Sequence, residues 1–419
     1  MSSSDRRVVI TGVGLISPLG HTATDLWQSL STGKSGVDVI DAIPTDHFPT
    51  DIGGQCSQFT GAADDFGELD KQLKRQIKRA LKLMCRDIKL GVAAAQLAIA
   101  DAGLVEGNYE PARTGTVFGS DYIITSPEDY ASGIKNCFDE NRNFDFNNWP
   151  EKGLTSVEPL WLLKYLPNMP ASHVAIFNDL QGPSNSITVR EASANLAVAE
   201  AATIIQRGSA DRMIAGATGS RIHPLRTVHL VLQEQLADRN SEAAGGDPAK
   251  ACRPFDTGRN GMVLGEGAAV LILEELSVAQ ERGAKILGEV AGYGSSAVAD
   301  TDGAADYQTA FKNVMLGALE TSGMQVTDIG HVHAHGLSSP RVDREEAAAI
   351  KEVMGDCPVT AAKSYMGNLG CGSGMVEIIS SLMAMQNDSL FPIMNCEIWT
   401  PTARSMRSLK PAFRRVTAL

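Results

Sequence analysis

Gly182-Pro183-Ser184-Asn185-Ser186-Ile187-Thr188-Val189-Arg190-Glu191-Ala192-Ser193-Ala194 opens with a glycine–proline turn and ends in a string of small residues. From Asn195 to Gln206 the string continues as alanine, valine and isoleucine, which predicts a small-residue helix packed closely on its neighbours. Glu191 stands where that helix begins, so a carboxylate marks the tip of an element built for burial. Immediately beyond, Arg212-Met213-Ile214-Ala215-Gly216-Ala217 is a short apolar run of the kind found in strands buried on both faces.

Outward from this centre the same alternation recurs. Val8-Val9-Ile10-Thr11-Gly12-Val13-Gly14 predicts a first strand, followed by a helix over about Thr22–Thr32. Asp70–Gly103 has apolar residues at three- and four-residue spacing and predicts a long helical region, and residues 113–119 return to strand. Residues 121–166 are rich in Asn, Asp, Phe and Trp and predict an insertion with short helices, and Asp238–Asp247 a polar boundary loop. The second half predicts strands over Gly267–Leu273, Ala284–Gly294 and Ile329–Ala334, a helix end over Ser277–Gly283 and a helix over about Gln308–Thr321. Strands alternating with helices imply an α/β protein in two similar halves, 1–250 and 251–419, with helices outside and between sheets.

Composition removes several classes. The net charge of −12 argues against nucleic-acid binding by bulk electrostatics. Seven scattered cysteines, with no Cys-x-x-Cys pair, read as reduced thiols of a cytoplasmic protein and give no zinc site. Met1–Arg7 is polar, which argues against a signal peptide, and no apolar run reaches the roughly 18 residues a membrane span needs. No glycine motif has the form of a phosphate-binding loop. His331, His333 and His335 alternate along a predicted strand and share a face, a geometry that suits a metal less well than it suits catalysis at His335, which precedes a glycine turn.

Six motifs in register carry a family resemblance. They are Val9-Ile10-Thr11-Gly12-Val13-Gly14 with Ser17-Pro18-Leu19-Gly20, then Leu166-Pro167-Asn168-Met169-Pro170, then the Glu191 segment itself. Arg253-Pro254-Phe255-Asp256-Thr257-Gly258-Arg259-Asn260-Gly261 runs on to Gly265-Glu266-Gly267-Ala268. His333-Ala334-His335-Gly336 leads to Asp343 and Glu346, and Lys363-Ser364-Tyr365-Met366-Gly367-Asn368-Leu369-Gly370 closes the series. Together they resemble the β-ketoacyl-acyl-carrier-protein synthases, condensing enzymes of the thiolase fold. The resemblance implies duplicated α/β halves in a layered α-β-α-β-α arrangement. It makes His335 the first catalytic histidine, Lys363 the structural lysine and Glu346 the acid that pairs with it.

Two positions depart from the family pattern. Glu191 occupies the place of the cysteine that carries the acyl chain, and Asn368 that of the second histidine. Histidine and asparagine can both donate to a thioester oxygen as it becomes an enolate, so His335 and Asn368 keep the makings of an oxyanion site. The nucleophile alone is missing. The resemblance implies no cofactor beyond the phosphopantetheine of an acyl carrier protein, and no metal. Its partners would be that carrier and a second subunit, in a homodimer or in a heterodimer with an active ketosynthase, joined by edge pairing of the strand after the helix, Met213-Ile214-Ala215. Three functions follow: a non-condensing, chain-length-type partner subunit of fatty-acid or polyketide-type biosynthesis; an acyl- or malonyl-thioester decarboxylase or hydrolase using His335 and Asn368; or a non-catalytic homologue that binds acyl chains or carrier protein.

The carboxyl end departs as well. Phe391-Pro392-Ile393-Met394-Asn395 fits the family, but Trp399–Leu419 is basic and shows neither the usual glycine-rich loop nor a buried strand. The family's last strand is therefore expected to be missing after about residue 400. Codons for Thr400–Ser408 read two bases along can spell the family's proline–aspartate–cysteine segment, so a shifted frame is one source of this tail.

Overall fold

A computed structural model describes residues 6–105, 107–401 and 403. Ten strands are present among them. They are β1 (Val8–Ile16), β2 (Val37–Val39), β3 (Ile52–Gly54), β4 (Thr114–Ser120) and β5 (Ser184–Ile187). The remainder are β6 (Arg212–Ser220), β7 (Leu264–Glu275), β8 (Gly288–Glu289), β9 (Val332–His333) and β10 (Val359–Thr360). One mixed sheet runs β2-β3-β7-β6-β4-β5, with β1 paired to β7 and β8. Parallel pairing joins β6 to β4 and β4 to β5, whereas β7 is antiparallel to both β6 and β1.

Every residue of β4, β6 and β7 is buried, including the charged Arg212, Glu266 and Glu274, which are ion-paired. Alternation along β6 divides the core in two. Met213, Ala215 and Ala217 join the cluster formed by the Ser193–Gln206 and Gly372–Gln386 helices. Ile214 points the other way, into the cluster under the Arg86–Asp101 helix. Met213 and Ile214 each stabilise the fold by roughly 1.5–3 kcal/mol through this burial, the alanines by less. Small residues set how closely the layers approach: a Cβ on Gly119 of β4 would lie 2.8 Å from the Ser193 carbonyl carbon. This contact seats the start of the Glu191 helix directly on the sheet.

Several elements differ from expectation. The helix begins at Ser193, two residues before Asn195. The long helical region is interrupted: Lys71–Ala80, a tight turn over Leu81–Leu83, then Arg86–Asp101, with Met84 and Cys85 extended between them. The strand expected over Ala284–Gly294 shrinks to β8, and it pairs with β1 of the large sheet. Among the described residues the second sheet has two strands only, β9 and β10, in parallel. Strand β7 lies beyond residue 250 yet is hydrogen-bonded to β1, β3 and β6, so the large sheet draws on both halves.

The expected edge strand is corrected. Met213-Ile214-Ala215 lies in β6, which is paired on both sides and cannot accept another strand. An open edge belongs to β5, whose residues Ser184 and Asn185 are exposed, and β2 ends the sheet on the other side. Polar composition hid β5 from pattern reading. The insertion forms a helix, Pro127–Asn136, and short turns up to Tyr165, with Phe138, Phe144, Phe146, Leu154, Leu160 and Leu162 exposed. The tail expected to lack the family's last strand lies, from residue 404, outside the described residues.

Candidate functional site

Glu191 is the middle residue of a single tight turn, Arg190–Ala192, that leads into the Ser193–Gln206 helix. Arg190 has φ of 55°, a left-handed backbone uncommon outside glycine. The turn is held from both sides: Val189 N donates to Ser193 Oγ at 2.9 Å, and Cys371 Sγ donates to the Arg190 carbonyl at 2.8 Å. This geometry aims the Glu191 side chain inward, leaving it 20% exposed.

Two donors converge on one carboxylate oxygen. Glu191 Oε1 accepts from Arg221 Nη2 at 2.7 Å and from Asn368 Nδ2 at 2.9 Å. Oε2 lies 3.6 Å from Arg190 Nε. Burial pushes the Glu191 pKa up, but Arg221, Arg190, His335 and the Asn368 hydrogen bond outweigh it and hold the carboxyl well below the usual carboxylate range. Glu191 is therefore an anion.

Asn368 is buried in the turn after the short Lys363–Met366 helix. Its Oδ1 accepts from Gly370 N and Ser373 Oγ, both at 3.1 Å, which orients the amide so that Nδ2 faces Glu191. The same Nδ2 lies 2.9 Å from Met262 Sδ.

His335 follows β9, with Nδ1 3.2 Å from Lys363 Nζ. Burial, then the neighbouring lysine, lowers its pKa to about 3, so the imidazole is neutral at pH 7. An ammonium against Nδ1 assigns the ring proton to Nε2, leaving a neutral N–H donor. Glu191 and His335 lie close enough for each to bias the other's protonation.

Glu346 is not the partner of Lys363. Its carboxylate accepts from His335 N at 2.6 Å and Gly336 N at 2.9 Å, fixing the backbone of the histidine turn. Burial raises its pKa to about 7. Lys363 is instead ion-paired with Glu377 of the Gly372–Gln386 helix. Glu346 belongs to the Val342–Met354 helix under the 335–336 turn, whereas the helix bearing Glu377 runs beside Lys363. Glu377 is the one charged residue in a largely buried helix, and such a residue needs a buried partner; that was its signal in the sequence.

Sequence reasoning also missed the cations around Glu191. Arg221, immediately after the buried strand β6, is itself almost fully buried and lies 3.8 Å from Asp121 Oδ2. Arg190 reaches Glu234 at 2.8 Å. The result is a chain of alternating charge, Asp121–Arg221–Glu191–Arg190–Glu234. Cys371 is the thiol that touches the turn, but it is buried, donates to backbone, and has its pKa pushed up by burial. Among the described residues no thiol is hydrogen-bonded to the side chains of His335 or Asn368.

The other histidines of the strand face the same helix. His331 Nε2 and His333 Nδ1 lie 3.0 and 2.9 Å from Ser381 Oγ, and His333 Nε2 accepts from Ala362 N at 3.0 Å.

Fold and site together define the condensing-enzyme class: a neutral histidine with its lysine and glutamate, an asparagine, and a helix-tip position holding Glu191. The β-ketoacyl synthase N-terminal domain model matches residues 5–279, and the C-terminal domain model matches residues 287–397. The 3-oxoacyl-[acyl-carrier-protein] synthase 2 of Synechocystis sp. is 33% identical over 404 residues, covering 94% of this chain and 88% of the relative. That of Coxiella burnetii is 33% identical over 399 residues, covering 94% and 89%. Among solved structures, a β-ketoacyl synthase from Burkholderia phymatum has a TM-score of 0.79 at 26% identity, covering 96% of this chain and 91% of that one. The ishigamide ketosynthase/chain length factor shares the fold, with a TM-score of 0.77 at 23% identity and 95% and 90% coverage. So does a type II polyketide synthase acyl-carrier protein in complex with its ketosynthase, with a TM-score of 0.74 at 24% identity and 95% and 90% coverage. This chain belongs to the β-ketoacyl synthase family. Among the described residues no helix is long and apolar enough to cross a membrane.

Proposed function

We propose that this chain is a subunit of fatty-acid or polyketide-type biosynthesis that does not condense acyl chains by itself. It works as a chain-length-type partner of a cysteine-bearing ketosynthase, with the acyl group carried on the phosphopantetheine of an acyl carrier protein. One observation carries the reading: the carboxylate of Glu191, at the family's nucleophile position, is held as an ion by Arg221 and Asn368. A carboxylate stabilised this strongly is a poor nucleophile, and it forms no thioester. The fold likeness to a ketosynthase/chain length factor supports the partner role, as does the open β5 edge.

A second reading, decarboxylation or hydrolysis of a bound thioester, is favoured by the neutral His335 and the oriented Asn368, which remain suited to an oxyanion. Glu191 opposes both reactions. As a base it is weakened by its low pKa, and its charge repels a malonyl carboxylate by roughly 4 kcal/mol at 4 Å and an effective dielectric of 20. Incubating the pure protein with malonyl- and acyl-carrier protein, while following carbon dioxide, free acid and elongated product, separates the readings. Neither release nor elongation is expected from the chain alone. β-Ketoacyl product would sink the partner reading; free acid alone, lost in Glu191→Gln, would support the second.

A further inference from the structure

Arg221 completes a site that Glu191 alone does not explain. Its backbone is pinned at both ends: its N–H donates to Gly265 O at 3.0 Å and its carbonyl accepts from Thr227 Oγ1 at 3.1 Å. The guanidinium is buried, with 2% of the side chain exposed. Asp121, at 3.8 Å, is beyond hydrogen-bonding distance, so Glu191 supplies the hydrogen-bonded anion. Arg221 Nε has no partner. It faces Gly370, where a Cβ would lie 3.1 Å from Nε, so the backbone here leaves room for a guanidinium and little else.

Arg221 Nη2 and Asn368 Nδ2 meet at the same oxygen of Glu191. A thioester carbonyl accepting from Asn368 would stand at that point, but it carries no charge to balance a buried guanidinium. A carboxylate does, and a buried arginine stripped of its anion is strongly unfavourable. We propose that Arg221 and Asn368 form a carboxylate receptor and that Glu191 is its tethered ligand, so that the site selects an aliphatic carboxylate over a thioester carbonyl. The proposal rests on the reading of Glu191 as an ion held at the family's nucleophile position and names the residue that makes the site specific for it.

The test empties the receptor and offers the missing group in solution. Full-length Glu191→Ala and Glu191→Gly are titrated with propionate, which reproduces the end of the glutamate side chain, and with the neutral isostere propionamide. Thermal unfolding is the readout. Propionate is expected to raise Tm saturably, by about 2 °C or more, in both variants. Propionamide should leave both unchanged, propionate should leave the wild type unchanged, and Glu191→Ala/Arg221→Met should lose the response. If Glu191→Ala refolds only with help, rescue by propionate but not by propionamide is the same expected result. No propionate-specific shift or rescue, or an equal shift in the wild type or the Arg221→Met background, overturns the receptor. None of these outcomes depends on whether the wild type makes β-ketoacyl product, so the two ideas fail separately.

Discussion

Lys363 and Glu377 form an ion pair inside the protein, and the same ammonium lies 3.2 Å from His335 Nδ1. One lysine therefore both neutralises a buried acid and dictates which tautomer the histidine adopts. This support presents the histidine as a neutral donor.

Lys363→Met is expected to destabilise the protein by about 3–5 kcal/mol, because it leaves Glu377 buried without its partner. Lys363→Met/Glu377→Met should recover much of that loss. Urea denaturation of the two singles and the double supplies the cycle. Additive losses would contradict a mutual pair. The His335 pKa, read by NMR, should rise in Lys363→Met once the neighbouring positive charge is gone.

Glu191→Gln removes the charge facing Arg221 and is expected to cost about 3–5 kcal/mol at pH 7. The sign of the pH dependence follows from its depressed folded pKa. The contribution of Glu191 is fully present above the unfolded carboxyl value of about 4.3 and is lost as pH falls through the lower folded value. The gap between wild type and variant should thus narrow on acidification below about pH 4.3. A gap that stays constant from neutral to acid pH would remove the ion pair from the account.

His331 and His333 are half-buried and neutral, and loss of solvent lowers both pKa values, that of His331 to about 4. The unfolded chain therefore binds protons that the native state refuses. Stability from these residues is present above the unfolded histidine value of about 6.5 and declines as pH falls toward the folded values. His331→Asn should flatten the part of the stability–pH curve between about pH 6.5 and 4. Denaturant midpoints across that range provide the check.

The position of the free edge makes a contrast available. Val189, two residues past β5, is 49% exposed, whereas Met213 is wholly buried in β6. Val189→Asp should leave Tm nearly unchanged and weaken the proposed subunit association about tenfold or more, measured by analytical ultracentrifugation. Met213→Asp should instead unfold the chain. Selective loss of association in a folded Met213→Asp would restore β6 as the pairing strand.

Short apolar runs made β1, β4, β6 and β7 legible in the sequence, because strands buried on both faces are predominantly apolar. The position of Glu191 at a helix start was legible because the small residues that follow it announce a closely packed helix. The polar edge strand β5 was hidden, since it pairs on one side and needs no hydrophobic pattern. The partners were hidden too. Whether Lys363 meets Glu346 or Glu377 depends on which helix passes beside it, and both acids are spaced plausibly along the chain. Arg221 reaches Glu191 across 30 residues of sequence, and the sheet brings them together. Local composition decides what a residue can bury, but long-range packing decides which charges meet, and that choice alone turned a misplaced carboxylate into an ion fixed between an arginine and an asparagine.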